Sequence, residues 1–251
     1  MNPSQALVEV GVQWLNDNQG VVAIGLFLAS AAYAWFSGII EALRRRPKLL
    51  LSPIPGPTFF VVHEIGKRHD EHEVHRLSIS VYLKITNAGS APTSICDVHI
   101  GYKWSIIPFT KLWWSRLGKL HWITQQTVAL RDFQVSIGSD GDTKVYPFLT
   151  QRSSLTGHSS KTYLEVGEMV NGVVYFEQSD AFGACQPLVL DGHAVMYLKI
   201  YDAFGGAHKA RMRLPKIELE AAKEYNPSFG GSLSALAKSS SDPGPANPAG
   251  V

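Results

Sequence analysis

Cysteine is nearly absent. The 251-residue chain has two, Cys96 and Cys185, far apart and with no C-x-x-C pair. Such usage excludes a cysteine-built zinc framework and a disulfide-dense secreted fold, and leaves a single Cys96–Cys185 bridge open. The usual catalytic signatures are missing as well: no G-x-S-x-G, phosphate-loop or G-x-G-x-x-G pattern occurs. Ser159 and Ser160 beside His158 read as turn residues, and Asp140 and Asp142 around Gly141 as a hairpin turn rather than calcium ligands. The expectation is therefore a protein that is not an enzyme and needs no cofactor. The net charge of +2 gives no argument for nucleic acid, and none is expected as a partner.

Charge is missing altogether from Val21 to Ile40, VVAIGLFLASAAYAWFSGII, which also lacks proline. As a helix rising 1.5 Å per residue it spans about 30 Å, the thickness of a bilayer's hydrocarbon core. Residues 1–20 contain Glu9 and Asp17 but no Lys or Arg, unlike the basic start of a signal peptide. The spacing predicts a single membrane span over 21–40. Arg44, Arg45, Arg46 and Lys48 follow directly and place that end in the cytoplasm. The expected location is the bacterial inner (cytoplasmic) membrane, with the N-terminal tail 1–20 outside, a basic linker over 41–48 and the remaining chain cytosolic. Both cysteines would then stay reduced. Ala29, Ser30, Ala31 and Ala32 offer small packing residues for a homo-oligomer through the span.

From about residue 49 to 216 the pattern has period two. LSISVYLKI sets Leu77, Ile79, Val81, Leu83 and Ile85 against Ser78, Ser80, Tyr82 and Lys84. CDVHIGYKW sets Cys96, Val98, Ile100, Tyr102 and Trp104 on one face; HAVMYLKIY and HKARMRL alternate likewise. These are half-buried antiparallel strands. Further strands are predicted near Thr58–His63, Asp132–Ile137, Lys144–Leu149, Lys161–Val166 and Val173–Gln178, about eight or nine in all, forming a mainly β antiparallel sandwich or else a barrel. A weak repeat relates VVYFEQSDAFGAC (173–185), VMYLKIYDAFGGA (195–207) and VYLKITNAG (81–89). Each reads as a strand feeding an Asx-type turn that ends in glycine. A short helix is predicted over 217–225, and the Gly/Ser/Pro/Ala-rich end from Asn226 reads as a disordered tail.

On ITNAGSAPTSI (85–95) and the strand-turn-strand YLKIYDAFGGAHKARMRL (197–214), the chain resembles the immunoglobulin-like β-sandwich domains of bacterial surface and membrane-anchored proteins. The antibody pattern of Cys, Trp and Cys is absent. The resemblance implies a fold and a habit of binding, with no active site to carry over.

Two stretches hold candidate sites. HEIGKRHDEHEVHR (63–76) contains four of the nine histidines. It is predicted to be a solvated polar loop or strand extension, with His75 capping the core edge and Arg76 pointing out. If a metal binds, Zn²⁺ or another divalent ion would take His69, His72 and His75 with one nearby carboxylate. KWSIIPFTKLWWSRLGKLHW (103–122) contains four of the six tryptophans, and no acidic residue occurs between Asp97 and Asp132. On a helix, Phe109, Leu112, Trp113, Leu117 and Leu120 would share a side, with Lys111, Ser115 and Lys119 elsewhere. Trp104, Phe109, Lys111, Trp113, Trp114, Arg116, Lys119 and Trp122 are thus the candidate contacts to an anionic membrane interface or a protein partner. Three functions follow in order: a single-span anchored module presenting a cytosolic sandwich to a protein partner; a stress or phage-defence effector or sensor whose β-domain takes a small ligand; and a metal-dependent enzyme.

Overall fold

A computed structural model describes residues 13–37, 45–69, 72–137, 142–152 and 161–231. The chain divides into two compact units, Met1–Arg46 and Pro47–Val251. In the first, helix α1 (Gln19–Phe36) is long and apolar enough to cross a membrane, and none of it is buried within the protein. Its last described residue is Ser37; positions 38–40 of the predicted span lie outside the described residues, as does Arg44.

The second unit is mainly β. Twelve strands occur among the described residues: β1 (Leu49–Pro53), β2 (Phe59–His69), β3 (His72–Asn87), β4 (Thr93–Tyr102), β5 (His121–Ile123), β6 (Phe133–Ile137), β7 (Asp142–Tyr146), β8 (Tyr163–Leu164), β9 (Met169–Phe182), β10 (Val189–Leu190), β11 (His193–Asp202) and β12 (Ala207–Pro215). Two short helices complete the set, α2 (Lys111–Arg116) and α3 (Leu219–Tyr225).

The pairing is antiparallel in every ladder between strands. In the first sheet β3 is central. β9 pairs with it from Val74 to Thr86, while β2 and then β1 follow one another along the other edge. In the second sheet β12 lies beside β11, β4 and β10 share the far edge of β11, and β5 lies beyond β4. The alternation seen in sequence builds the core between them. Leu77, Ile79, Val81, Leu83 and Ile85 from β3 meet Val98, Ile100 and Tyr102 from β4 and Met196, Leu198 and Ile200 from β11. The six repeat-related residues Val81, Leu83, Val174, Phe176, Met196 and Leu198 are all fully buried in this one core. The repeat therefore marks equivalent core positions on three strands.

The turn chemistry is equally local. Asp202 accepts hydrogen bonds from the Phe204 and Gly206 amides at 2.9 and 2.8 Å, an Asx turn closed by Gly205 at φ +77°. Asn87 does the same for the Gly89 amide and also donates to Ala91 O and Leu164 O. His208 Nε2 donates to Asp202 at 2.8 Å, so its Nδ1 is free to accept from the Leu49 amide at 3.2 Å, tying β12 to β1. β12 then continues to a parallel bridge between Lys216 and Phe60, joining the two sheets along one side.

Three expectations are corrected here, on Cys96, on Ser78 and Ser80, and on the C-terminal tail. Cys96 is exposed, because the β4–β11 register slips between Asp97 and Ile95; the bulge puts Ile95 and Val98 inside and turns Cys96 out. Both cysteines are free thiols. Ser78 and Ser80 do not face water; both are fully buried, because the first sheet is covered on its second face too. That face carries a second core made by Phe59, Val61, Val173 and Tyr175 with Phe133 and Tyr146 of the β6–β7 hairpin, Ala222 of α3 and Phe229. The predicted tail consequently starts too early. Asn226, Ser228 and Phe229 are buried, and Phe229 sits among the rings of Phe59, Phe133 and Tyr175 at centroid distances of 5.4, 6.1 and 5.3 Å. An apolar ring on a Gly/Ser background is weak in composition but strong in packing. Residues 232–251 lie outside the described residues, as do Gly141, Asp140, His158, Ser159 and Ser160.

Phe229→Ala should therefore cost about 3 kcal/mol of stability, the lower end for emptying a buried phenylalanine site. Urea unfolding of the full chain in detergent measures it; an unchanged midpoint would show the C-terminal segment to be dispensable.

Candidate functional site

The histidine stretch is a hairpin. β2 and β3 pair from Phe59↔Ser80 out to His69↔His72, leaving only residues 70 and 71 beyond the ladder and outside the described residues. Of the two expectations, polar loop or strand extension, the second describes the stretch: it is paired strand, with a bulge between Glu64 and Lys67 at Gly66, whose φ of +68° suits glycine. The proposed metal ligands are engaged with different partners. His72 and His75 both border one cleft beside the hairpin. His69 stacks on Phe182 at 4.7 Å, while His75 turns inward with Nε2 3.2 Å from Cys185 O. Among the described residues no group of three or more His, Cys, Asp or Glu is arranged to hold a metal ion. Arg76, expected to point out, is turned under the C-terminal segment. It forms an ion pair with Glu177 at 3.1 Å and donates from Nη1 to Gly230 O at 2.7 Å. Tyr175 links the same elements, donating to Glu177 at 2.9 Å and accepting from the Gly230 amide at 3.1 Å; burial first, then the Glu177 charge, raises its pKa well above the usual phenol range.

A cleft of about 310 Å³ opens beside the hairpin, lined by His63, Glu64, His72, Glu73, His75 and Lys216 among others. Burial, reinforced by the Arg76 and Lys223 charges, lowers the pKa of His63. Its Nδ1 is buried without a hydrogen-bond partner. A neutral ring fits that environment, since protonation would place another cation beside Arg76.

The tryptophan-rich stretch forms the second candidate. It does not become the expected amphipathic helix. Phe109 at φ +66° precedes the six-residue α2, and Gly118 at φ +74° follows it. Thr110 caps the helix by accepting from the Trp113 amide at 3.2 Å. One and a half turns cannot align an apolar stripe, so the segment is a loop folded on itself. Trp113 is its pivot, with ring contacts to Phe109 at 5.4 Å and Trp114 at 4.8 Å. Trp104 is half-buried at the base, against His121 at 4.8 Å and beneath the Arg116 guanidinium at 4.6 Å. Outside that anchored centre the apolar side chains face solvent: Phe109 is 81% exposed, Ile107 76%, Trp114 61%, Leu117 54% and Leu112 47%. Lys103, Lys111, Arg116 and Lys119 surround them, none in an ion pair among the described residues. A cleft of about 350 Å³ under the loop is lined by Lys103, Trp104, Trp113, Arg116, Lys119 and Leu188 among others.

Trp122 departs from this group. It lies on β5, packed over Gly101, where an added Cβ would come within 2.8 Å of the indole. Lys199 Nζ sits 4.4 Å over the same ring. Seven of the eight candidate contacts therefore gather in one loop, and Trp122 belongs to the outer face of the second sheet. Leu188, which lines the loop's cleft from the chain just before β10, was missed in the sequence, where nothing periodic marks it.

No family model and no curated protein matches the chain. A solved structure, of a candidate ApaA protein from Bordetella pertussis, is similar at 11% identity over 68% of this chain and 96% of that one, with a TM-score of 0.26. The likeness is distant. What is defined is a mainly β unit preceded in the chain by one apolar helix, and by length and composition that helix fits a membrane anchor or a signal sequence alike.

The histidines give an acid dependence. Burial lowers the pKa of His63; for His121 burial is again the largest cause, opposed by a Gln178 contact and reinforced by Arg116. The folded state then binds fewer protons than the unfolded one, so stability is full above the ordinary histidine value of 6.5 and falls as pH drops below it. Asp202 acts at lower pH. Burial pushes its pKa up, but hydrogen bonds from His208, Gly206 and Phe204 outweigh this and leave it below the usual carboxylate value, so its contribution disappears only in stronger acid. Urea midpoints between pH 7.5 and 5 should fall for the native chain and fall less for His63→Gln/His121→Gln. Equal slopes in the two chains would contradict the assignment.

Proposed function

We propose that this chain is a membrane-anchored, non-enzymatic binding module, with α1 as a retained single span and the 103–119 loop as the contact surface for a protein partner at the cytoplasmic face of an inner membrane. The single observation carrying the reading is that loop. A folded monomer has no internal use for five large apolar side chains held in solvent around a half-buried tryptophan pivot, whereas an interface does. Retention of the span is supported by the absence of Lys and Arg before it and by the basic Arg44, Arg45, Arg46 and Lys48 after it.

The pairings favour an immunoglobulin-like sandwich over a closed barrel. With β1/β2 as strand A, β3 as B, β9 as E, β4 as C, β5 as C′, β11 as F and β12 as G, the observed ladders are A–B–E and C′–C–F–G. Domains of this kind bind through loops clustered at the ends of the sandwich, and the 103–119 loop joins C to C′. The bridge at Phe60 and Lys216 closes only one side, which leaves the sandwich partly rolled.

A photo-crosslinking side chain placed at Trp114 in the full chain, expressed in a bacterial host, should give a discrete protein adduct in the membrane fraction. Loss of that adduct in Phe109→Ser/Leu117→Ser, with membrane retention unchanged, would support the loop as the contact. Lipid adducts alone would contradict a protein partner at this loop. Recovery of the chain in the soluble fraction, shortened at its N-terminus, would instead identify α1 as a cleaved leader.

A further inference from the structure

The outer face of the second sheet carries cations in cross-strand register. Across β11 and β12, Val195 stands opposite Arg213, Tyr197 opposite Arg211 and Lys199 opposite Lys209. Across β11 and β4, Lys199 stands opposite His99 and Tyr197 opposite Gly101, over which Trp122 packs. Directly opposed Lys199 and Lys209 repel one another, an arrangement that costs stability in a sheet unless something outside neutralises it. None of Lys103, Lys199, Lys209, Arg211 and Arg213 has an ion pair among the described residues. Acidic groups on this face include Asp97, opposite Tyr201, and Asp191 at the β10–β11 turn.

Part of the face is concave. A cleft of about 330 Å³ is lined by Lys103, Leu188, Leu190, Asp191, Arg211 and Arg213 among others, three cations against one carboxylate. Leu190 is 62% exposed and Leu188 39%. Lys103 and Leu188 also line the cleft beneath the 103–119 loop, so the two clefts are neighbours that share these two residues. The sheet-face cleft has cations able to hold phosphate oxygens beside the exposed side chains of Leu188 and Leu190.

We infer that this sheet-face cleft docks on an anionic bilayer, with Lys103, Arg211 and Arg213 holding lipid headgroup phosphates and Leu188 and Leu190 entering the boundary with the acyl chains. Charge complementarity selects the occupant, since the cytoplasmic leaflet is anionic and attracts basic clusters beside a tether. The rings argue against single-stranded nucleic acid. Lys199 already covers Trp122 at 4.4 Å and approaches Tyr201 at 5.7 Å, and Arg116 covers Trp104, so those faces are not open for base stacking. Exposed aliphatic side chains beside these cations suit lipid better than bases. The inference rests on the anchored reading to the extent that the tether supplies the effective concentration at the bilayer.

The test uses the full chain in nanodiscs of phosphatidylcholine alone or of phosphatidylcholine and phosphatidylglycerol in equal parts. Amine-reactive labelling is read residue by residue by mass spectrometry. Labelling of Lys103, Lys199 and Lys209 should slow about threefold in the anionic discs, with Lys144 on β7 unchanged, and the slowing should vanish in high salt. Arg211→Gln/Arg213→Gln should remove it without changing the thermal midpoint; if that variant unfolds, the salt dependence of the native chain decides. Equal labelling in the two kinds of disc, or slowing confined to Lys111 and Lys119, overturns the sheet-face proposal while leaving the anchor intact. Slowing by added single-stranded RNA in neutral discs, with none from phosphatidylglycerol, overturns it in favour of nucleic acid. A chain that does not stay with the discs contradicts the anchored reading, and this proposal with it.

Discussion

Strand β3 is hydrogen-bonded along both edges and covered on both faces, and the rest of the β unit is arranged around that double burial. Its odd-numbered side chains from Leu77 to Ile85 build the core between the sheets. The opposite face takes in Ser78 and Ser80, two small polar residues, and leaves room for the layer formed by the β6–β7 hairpin, α3 and Phe229. Ser80 meets its hydrogen-bonding requirement at Pro57 O, 2.7 Å away. Small residues at these positions let a third layer approach a sheet that would otherwise end at solvent.

That third layer explains which parts of the fold were legible in sequence. Period-two alternation located the strands because one face of each packs against the principal core, and the repeat located three equivalent core pairs. The second face of the first sheet was hidden because Ser78, Ser80, Arg76 and Glu177 are polar by type. Their burial depends on partners far away in the chain: Arg76 on Glu177 and Gly230, Tyr175 on Glu177 and Gly230. Phe229 was hidden for the converse reason, a single ring in a stretch whose composition reads as disorder. Tertiary complementarity decided both, and neither has a local period.

The candidate sites divide along the same line. The seven loop residues were legible because aromatic and basic side chains without acidic neighbours are visible in composition alone. The helix expected to display them was not formed, since Phe109 and Gly118 adopt left-handed backbone at either end and leave α2 too short for a stripe. The histidine triad does not assemble among the described residues: a spacing of three aligns side chains on a helix, whereas on the bulged hairpin His69 packs on Phe182 and His75 turns to Cys185 O. The Arg211–Arg213 cleft was overlooked because HKARMRL was read for the face it buries, while the face it exposes gains meaning only beside Lys103, Lys199 and Lys209.

The account joins a rigid, doubly covered sheet to one exposed aromatic loop, and assigns stability to the first and contact to the second. Backbone hydrogen exchange of the full chain, compared between its host membrane and detergent micelles, tests that division directly. The account predicts that amides of residues 103–119 exchange more slowly in the membrane, where their partner is present, while β3 stays equally protected in both. Unchanged exchange in 103–119, or β3 amides as labile as the loop, would contradict it.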